Sequence, residues 1–154
     1  MSTVEERLKS LNITIPTPAA PVANYVGHMI TGNLVFVSGQ IPFKDGVVAI
    51  TGKVGFHRTM EEGYEAARLC ALNVIAQVKV ACGGDLDRVV RVVRVGGFIN
   101  GMADFVDAPK CVNGASDLFV QVFGERGKHA RTALIVNSLP ANATAEVEAV
   151  VEIR

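Results

Sequence analysis

The segment Ala145-Glu146-Val147-Glu148-Ala149-Val150-Val151-Glu152-Ile153 near the C-terminus alternates with a period of two. In a pleated strand, successive side chains point to opposite faces. Ala145, Val147, Ala149, Val151 and Ile153 therefore share one face; Thr144, Glu146, Glu148 and Glu152 share the other, interrupted only by Val150. A strand patterned this way belongs to a sheet whose apolar face is covered by a second layer. Other parts of the chain have to supply that layer.

Two helical segments can do so. Thr59 followed by Glu62 is a capping-box pattern that opens a helix from Met60 to about Cys82. Its apolar stripe is Ala67, Cys70, Ala71, Val74, Val78 and Ala81, and Gly83-Gly84 ends it. Pro109 suits a first helical turn, and Val112, Ala115, Phe119 and Val122 make the stripe of a second helix ending near Gly124. Strands are expected at Val26–Thr31 and Leu34–Ser38, joined by Gly32-Asn33, and at Val47–Ile50 after the Lys44-Asp45-Gly46 turn. Val89–Ile99 is a β-branched strand in which Gly96-Gly97 marks a bulge or a close backbone approach, and Ala130–Val136 is another. The order predicts an α+β domain, a mixed β-sheet with two helices on one face. Before it, residues 1–20 read as an extension. A short amphipathic helix, Thr3–Leu11 with Ser2 and Glu5 as a capping box, leads into an extended linker from Pro16 to Pro21. Residues 21–154 form the domain proper.

A chain of 154 residues with 49% apolar and 19% charged residues is expected to fold as one globular unit. Lys+Arg and Asp+Glu both number 15, so there is no basic surplus to displace counterions, which counts against nucleic acid as a partner. Cys70, Cys82 and Cys111 lack a CxxC spacing and read as buried reduced thiols. With no signal peptide and no long apolar span, a cytoplasmic chain without a membrane partner is expected. Its high hydrophobicity points to surface buried between subunits.

Motifs for phosphate, metal or covalent chemistry are missing. Between Gly46 and Gly52-Lys53 lie five residues instead of the P-loop's four, and Val54 stands where Ser or Thr is needed. His28, His57 and His129 show no zinc spacing, and no GxSxG elbow occurs, so neither metal nor covalent catalysis is expected. Arg131 is what remains. It begins an apolar strand in Lys128-His129-Ala130-Arg131-Thr132-Ala133-Leu134-Ile135-Val136, sharing a face with Ala133 and Ile135. Two readings stay open on spacing: a surface ion pair with Glu146 or Glu148, worth about 0–1 kcal/mol, or a ligand-binding arginine whose planar fork grips a small carboxylate.

Several segments, in order, resemble the YjgF/Rid (reactive intermediate deaminase) family, long labelled "endoribonuclease L-PSP". They are Asn33-Leu34-Val35-Phe36-Val37-Ser38-Gly39-Gln40-Ile41-Pro42, Ala67-Arg68 through Asn73-Val74, Ala130-Arg131, Leu139-Pro140 and Glu146-Val147-Glu148-Ala149. The resemblance runs from about Tyr25 to the C-terminus. It implies a chorismate-mutase-like fold, a homotrimer with a barrel-like centre, and clefts between subunits. It also implies cofactor-independent hydrolysis of 2-imino or enamine acids to 2-keto acids and ammonia. Arg131 would hold the substrate carboxylate, Glu146 would position or polarise the water, Tyr25 would cover the substrate, Gly39 would let the backbone approach it, and Asn113 would lie nearby. The family often has Cys where this chain has Ala133. That departure keeps a non-catalytic carboxylate-binding module in view as the alternative, and the family label adds an endoribonuclease.

Overall fold

The alternating C-terminal strand, β7 (Ala145–Ile153), runs through the middle of a five-stranded sheet in the computed structural model, which describes residues 3–154. The other strands are β1 (His28–Thr31), β2 (Leu34–Gln40), β5 (Val89–Asn100) and β6 (Ala130–Val136), in the order β1-β2-β7-β5-β6. All neighbours are antiparallel except β5 and β6, which run parallel, so the sheet is mixed. A parallel pair needs a crossover connection, and α3 (Ala108–Phe123) supplies it. With α2 (Met60–Ala81), α3 covers the face carrying Ala145, Val147, Ala149, Val151 and Ile153, all of them buried. The expected α+β class, mixed sheet and helices on one face are what the chain forms.

The Thr59–Glu62 capping box is complete: Glu62 N donates to Thr59 Oγ1 and Thr59 N donates to Glu62 Oε1, both at 3.1 Å. The buried arc of α2 is wider than one stripe. Ala66, Ile75 and Gln77 join Ala67, Cys70, Ala71, Val74 and Val78 because the helix is wedged between the sheet and α3. Small residues let the two helices approach closely. A Cβ placed on Gly114 would lie 2.0 Å from the Tyr64 carbonyl oxygen. Tyr64 Oη donates to Asp117 at 2.6 Å and Arg68 to Gln121 at 2.9 Å across the same seam. The three cysteines are free and buried, and burial pushes each thiol above its ordinary range, Cys111 to about 11.

Three details differ from expectation, and one contact adds to it. Val47–Val48 is a strand (β4), but it pairs with β3 (Phe43–Lys44) in a separate two-stranded hairpin. Asp45 (φ 52°) and Gly46 (φ 84°) turn the chain back before it can reach the main sheet. The register shifts of β5 lie at Val89/Arg91 and Val92/Arg94, ahead of Gly96-Gly97. The glycines instead mark the close approach, since a Cβ on Gly97 would meet Val112 of α3 at 2.4 Å. In α1 (Thr3–Ser10) the free N–H groups of Thr3 and Val4 donate to the Asp87 carboxylate at 2.9 and 3.0 Å. Ser2, the expected cap, lies outside the described residues. Finally, β1 begins at His28, two residues after the expected start, and β2 runs on to Gln40.

Gly114→Ala should destabilise the protein by about 1–3 kcal/mol or more through overpacking against backbone. Urea unfolding measures it, and an unchanged midpoint would show that α2 and α3 can separate without penalty.

Candidate functional site

β6 is an edge strand, and Arg131 stands opposite Val95 of β5. Cross-strand partners point to the same face. Val95 is fully buried on the helix side, so Arg131 also points to the helix side, at the sheet's rim. There α3 meets it. Arg131 Nη1 donates to Asn113 Oδ1 at 2.8 Å and to Ser116 Oγ at 3.1 Å. Among the described residues, Nε and Nη2 donate to nothing and no carboxylate lies within 4.0 Å of the guanidinium. The ion pair with Glu146 or Glu148 therefore does not form. Both glutamates are on β7, separated from β6 by β5, and both point to the opposite face, opposite Phe98 and Gly96.

Ala133 follows on the arginine's face, opposite Gly97, and packs against the core. Ser116 also bonds His129 Nε2 at 2.9 Å, and His129 Nδ1 donates to the Gly127 carbonyl at 2.6 Å. Burial holds the His129 pKa below its ordinary value, offset in part by the Gly127 hydrogen bond. Neither Ser116 nor His129 was singled out as a site residue from the sequence. The signal was present: His129 lies two residues before Arg131 on one strand face, and Ser116 three after Asn113 on one helix face.

Tyr25, Gly39 and Glu146 form a second group. The register between β2 and β7 shifts between Val37 and Gln40, which brings Gly39 against Glu146. A Cβ on Gly39 would sit 2.2 Å from Glu146 Oε1, so glycine leaves room for the carboxylate where it now stands. Glu146 has its pKa raised, first by burial and then by the charge of Glu148. Tyr25 is exposed in the loop before β1. The Val26 carbonyl next to it accepts from Ser38 Oγ at 2.6 Å, and Ser38 N donates to the Gly27 carbonyl at 2.9 Å. These bonds hold the Tyr25 loop beside Gly39. The six expected residues thus fall into two groups on opposite faces of one sheet: Arg131, Asn113 and Ala133 on one, and Tyr25, Gly39 and Glu146 on the other.

Among the described residues, no layer covers the face carrying Glu146. This face holds a concavity of about 450 Å³ lined in part by Met29, Phe36, Ser38, Arg94, Glu148 and Val150. Met29, Phe36 and Leu134 are 58%, 46% and 49% exposed on it. Lys53 of the P-loop near-miss turns inward, donating to Asn100 Oδ1 at 3.0 Å and to the Asn137 carbonyl. Its ammonium ties together the loops after β5 and β6. No helix among the described residues is long and apolar enough to cross a membrane.

Residues 5–153 match the family described as "YjgF/chorismate mutase-like, putative endoribonuclease". Protein TCP17 of Trypanosoma cruzi is 46% identical over 151 residues, covering 97% of this chain and 94% of that protein. The crystal structure of Atu1372 from Agrobacterium tumefaciens, a protein of unknown function, has a TM-score of 0.92 at 46% identity, covering 98% of this chain and 92% of that one. E. coli TdcF, in a crystal structure with bound serine, has a TM-score of 0.62 at 26% identity, covering 92% of this chain and 95% of that one. With the same mixed sheet, the same helix layer and a match over nearly its whole length, the chain belongs to the YjgF/chorismate mutase-like family.

Proposed function

We propose that the protein is a homotrimeric hydrolase of 2-imino and enamine acids, working without a cofactor in clefts between subunits. The observation that carries this reading is a guanidinium held by two neutral acceptors, with its Nε–Nη2 edge left for a ligand. An arginine pinned this way suits a carboxylate, which the fork grips with two parallel charge-assisted bonds. The serine bound to TdcF is also a small molecule with a carboxylate beside a nitrogen-bearing carbon.

Arg131 and Glu146 of one chain cannot serve the same small molecule, because the sheet stands between them. A second copy can bring its Tyr25, Gly39 and Glu146 to the first copy's Arg131. The uncovered face with Met29, Phe36 and Leu134 is the natural surface for that assembly. Three such faces around a common axis close into the barrel-like centre.

In the cleft, Arg131 fixes the substrate so that its electrophilic C=N carbon faces a water near Glu146. The water oxygen bonds to that carbon while Glu146 takes a proton. The nitrogen gains protons, the C–N bond breaks with release of ammonia, and C=O forms. Desolvation and Glu148 bring the carboxylate nearer the operating pH, which suits a group that accepts and returns a proton. Ala133, packed on the core where relatives often have Cys, favours one other reading: a module that binds the carboxylate without turnover.

Imino acids generated in situ with an amino-acid oxidase test the reading by keto-acid release. Arg131→Ala should lower kcat/KM on the order of 10²–10³-fold, the usual effect of removing one member of a desolvated charge pair. Glu146→Gln should lose turnover while still binding a keto acid. Binding without turnover in the unaltered protein would favour the module, and neither would discard the site. RNA cleavage that vanishes in Arg131→Ala would favour the endoribonuclease label.

Glu146 acts as a base only when ionised. A raised pKa therefore places the acid limb of kcat/KM above the ordinary glutamate value of about 4.3. Glu148→Gln removes the like charge and should move that limb to lower pH; a move to higher pH would contradict the role given to Glu148. Phe36→Asp should break the assembly. Light scattering should fall from three times 16.3 kDa to the monomer mass, and a trimer that survives would remove the uncovered face from the interface.

A further inference from the structure

The hydrogen atoms around Arg131 can be assigned one by one. The Gly127 carbonyl can only accept, so His129 Nδ1 carries a proton. Burial disfavours the charged imidazolium, which leaves His129 neutral near pH 7 and Nε2 bare. A bare Nε2 accepts, so the single Ser116 hydroxyl hydrogen points at it across 2.9 Å. The lone pairs of Ser116 Oγ are then turned toward Arg131, whose Nη1 donates across 3.1 Å. The second Nη1 hydrogen goes to Asn113 Oδ1 at 2.8 Å. Both hydrogens of that nitrogen are thereby held, and the guanidinium plane is fixed.

The ring is also fixed. Phe119 meets it edge-on, with centroids 5.8 Å apart and planes at 78°. The charged groups around His129 are few. Arg131 stands two residues on in β6, where its charge also disfavours the imidazolium, while the neighbouring Lys128 pairs with Glu125 of the preceding turn at 2.9 Å. From α3 it meets Ser116 and Phe119.

We propose that Ser116 and His129 are positioning residues: the neutral ring makes the serine an acceptor for Arg131 Nη1, which aims the Nε–Nη2 edge at the substrate carboxylate. The inference rests on the reading of Arg131 as the carboxylate anchor. Ordering the fork in advance removes an entropy cost that a mobile side chain would incur on binding.

Three variants test it. Ser116→Ala removes the acceptor. His129→Phe keeps the ring against Phe119 but cannot accept. His129→Gln restores an acceptor near the Nε2 position. In ligand-free protein, side-chain ¹⁵N spectra should show resolved, restrained Nη signals for Arg131. These should collapse in Ser116→Ala and His129→Phe and return in His129→Gln. Calorimetry with pyruvate should show affinity about tenfold weaker in the first two variants, the scale of one hydrogen bond to a charged group. The double variant should be no weaker than either alone, because the two residues act as one unit. Unchanged spectra and affinity in Ser116→Ala, or additive losses in the double variant, would overturn the inference. If the unaltered protein binds no keto acid, the deaminase reading falls and the carboxylate role falls with it. The ligand-free spectra then still decide whether the pair orients Arg131.

Discussion

The candidate site depends on the sheet order β1-β2-β7-β5-β6 and on the two-faced strand at its centre. β7 places its odd-numbered residues under the helices and its glutamates on the face without a covering layer. β5 then separates those glutamates from Arg131, which belongs to the helix side at the rim. The period of two makes this separation rigid, because a one-residue slip would bury glutamates and expose the core. The division of the site follows from the same register that closes the core.

Arg131 differs from the ion-paired basic residues in what holds it. Arg58, Arg91 and Lys110 each lie close to a carboxylate on the surface. Arg131 is held by an amide oxygen and a hydroxyl, which orient it without neutralising it. Both acceptors are on α3, and α3 is set in depth by Gly114 against the Tyr64 carbonyl and by Gly97 against Val112. The helix packing that stabilises the fold thus also determines where the two acceptors stand relative to the strand.

Much of this was legible in the chain. The helix boundaries at Thr59 and Gly124 follow from capping chemistry within a few residues, and the structure keeps them. The last two strands follow from alternation and β-branching, and they appear at the expected residues. Where the structure adds to or departs from that reading, pairing between segments was at work. The first N–H groups of α1 bind Asp87, a contact that no local pattern connects to Thr3. The short strand at Val47 pairs with Phe43–Lys44 through its own turn instead of joining the sheet. The ion pair stayed open as a reading of Arg131 because spacing along the chain does not reveal which strand lies between two others.

The sequence by itself determined the class of fold, the face each strand residue occupies and the family, since all three are carried by period, punctuation and local motifs. It also singled out Arg131 as a charge in want of an explanation. Only the tertiary structure decided that this charge meets α3 instead of Glu146, that Ser116 and His129 stand behind it, and that Gly39 makes room for the glutamate on the far face. Those relations join residues of different elements, and strand order and helix depth, which set them, arise from the packing of the whole core.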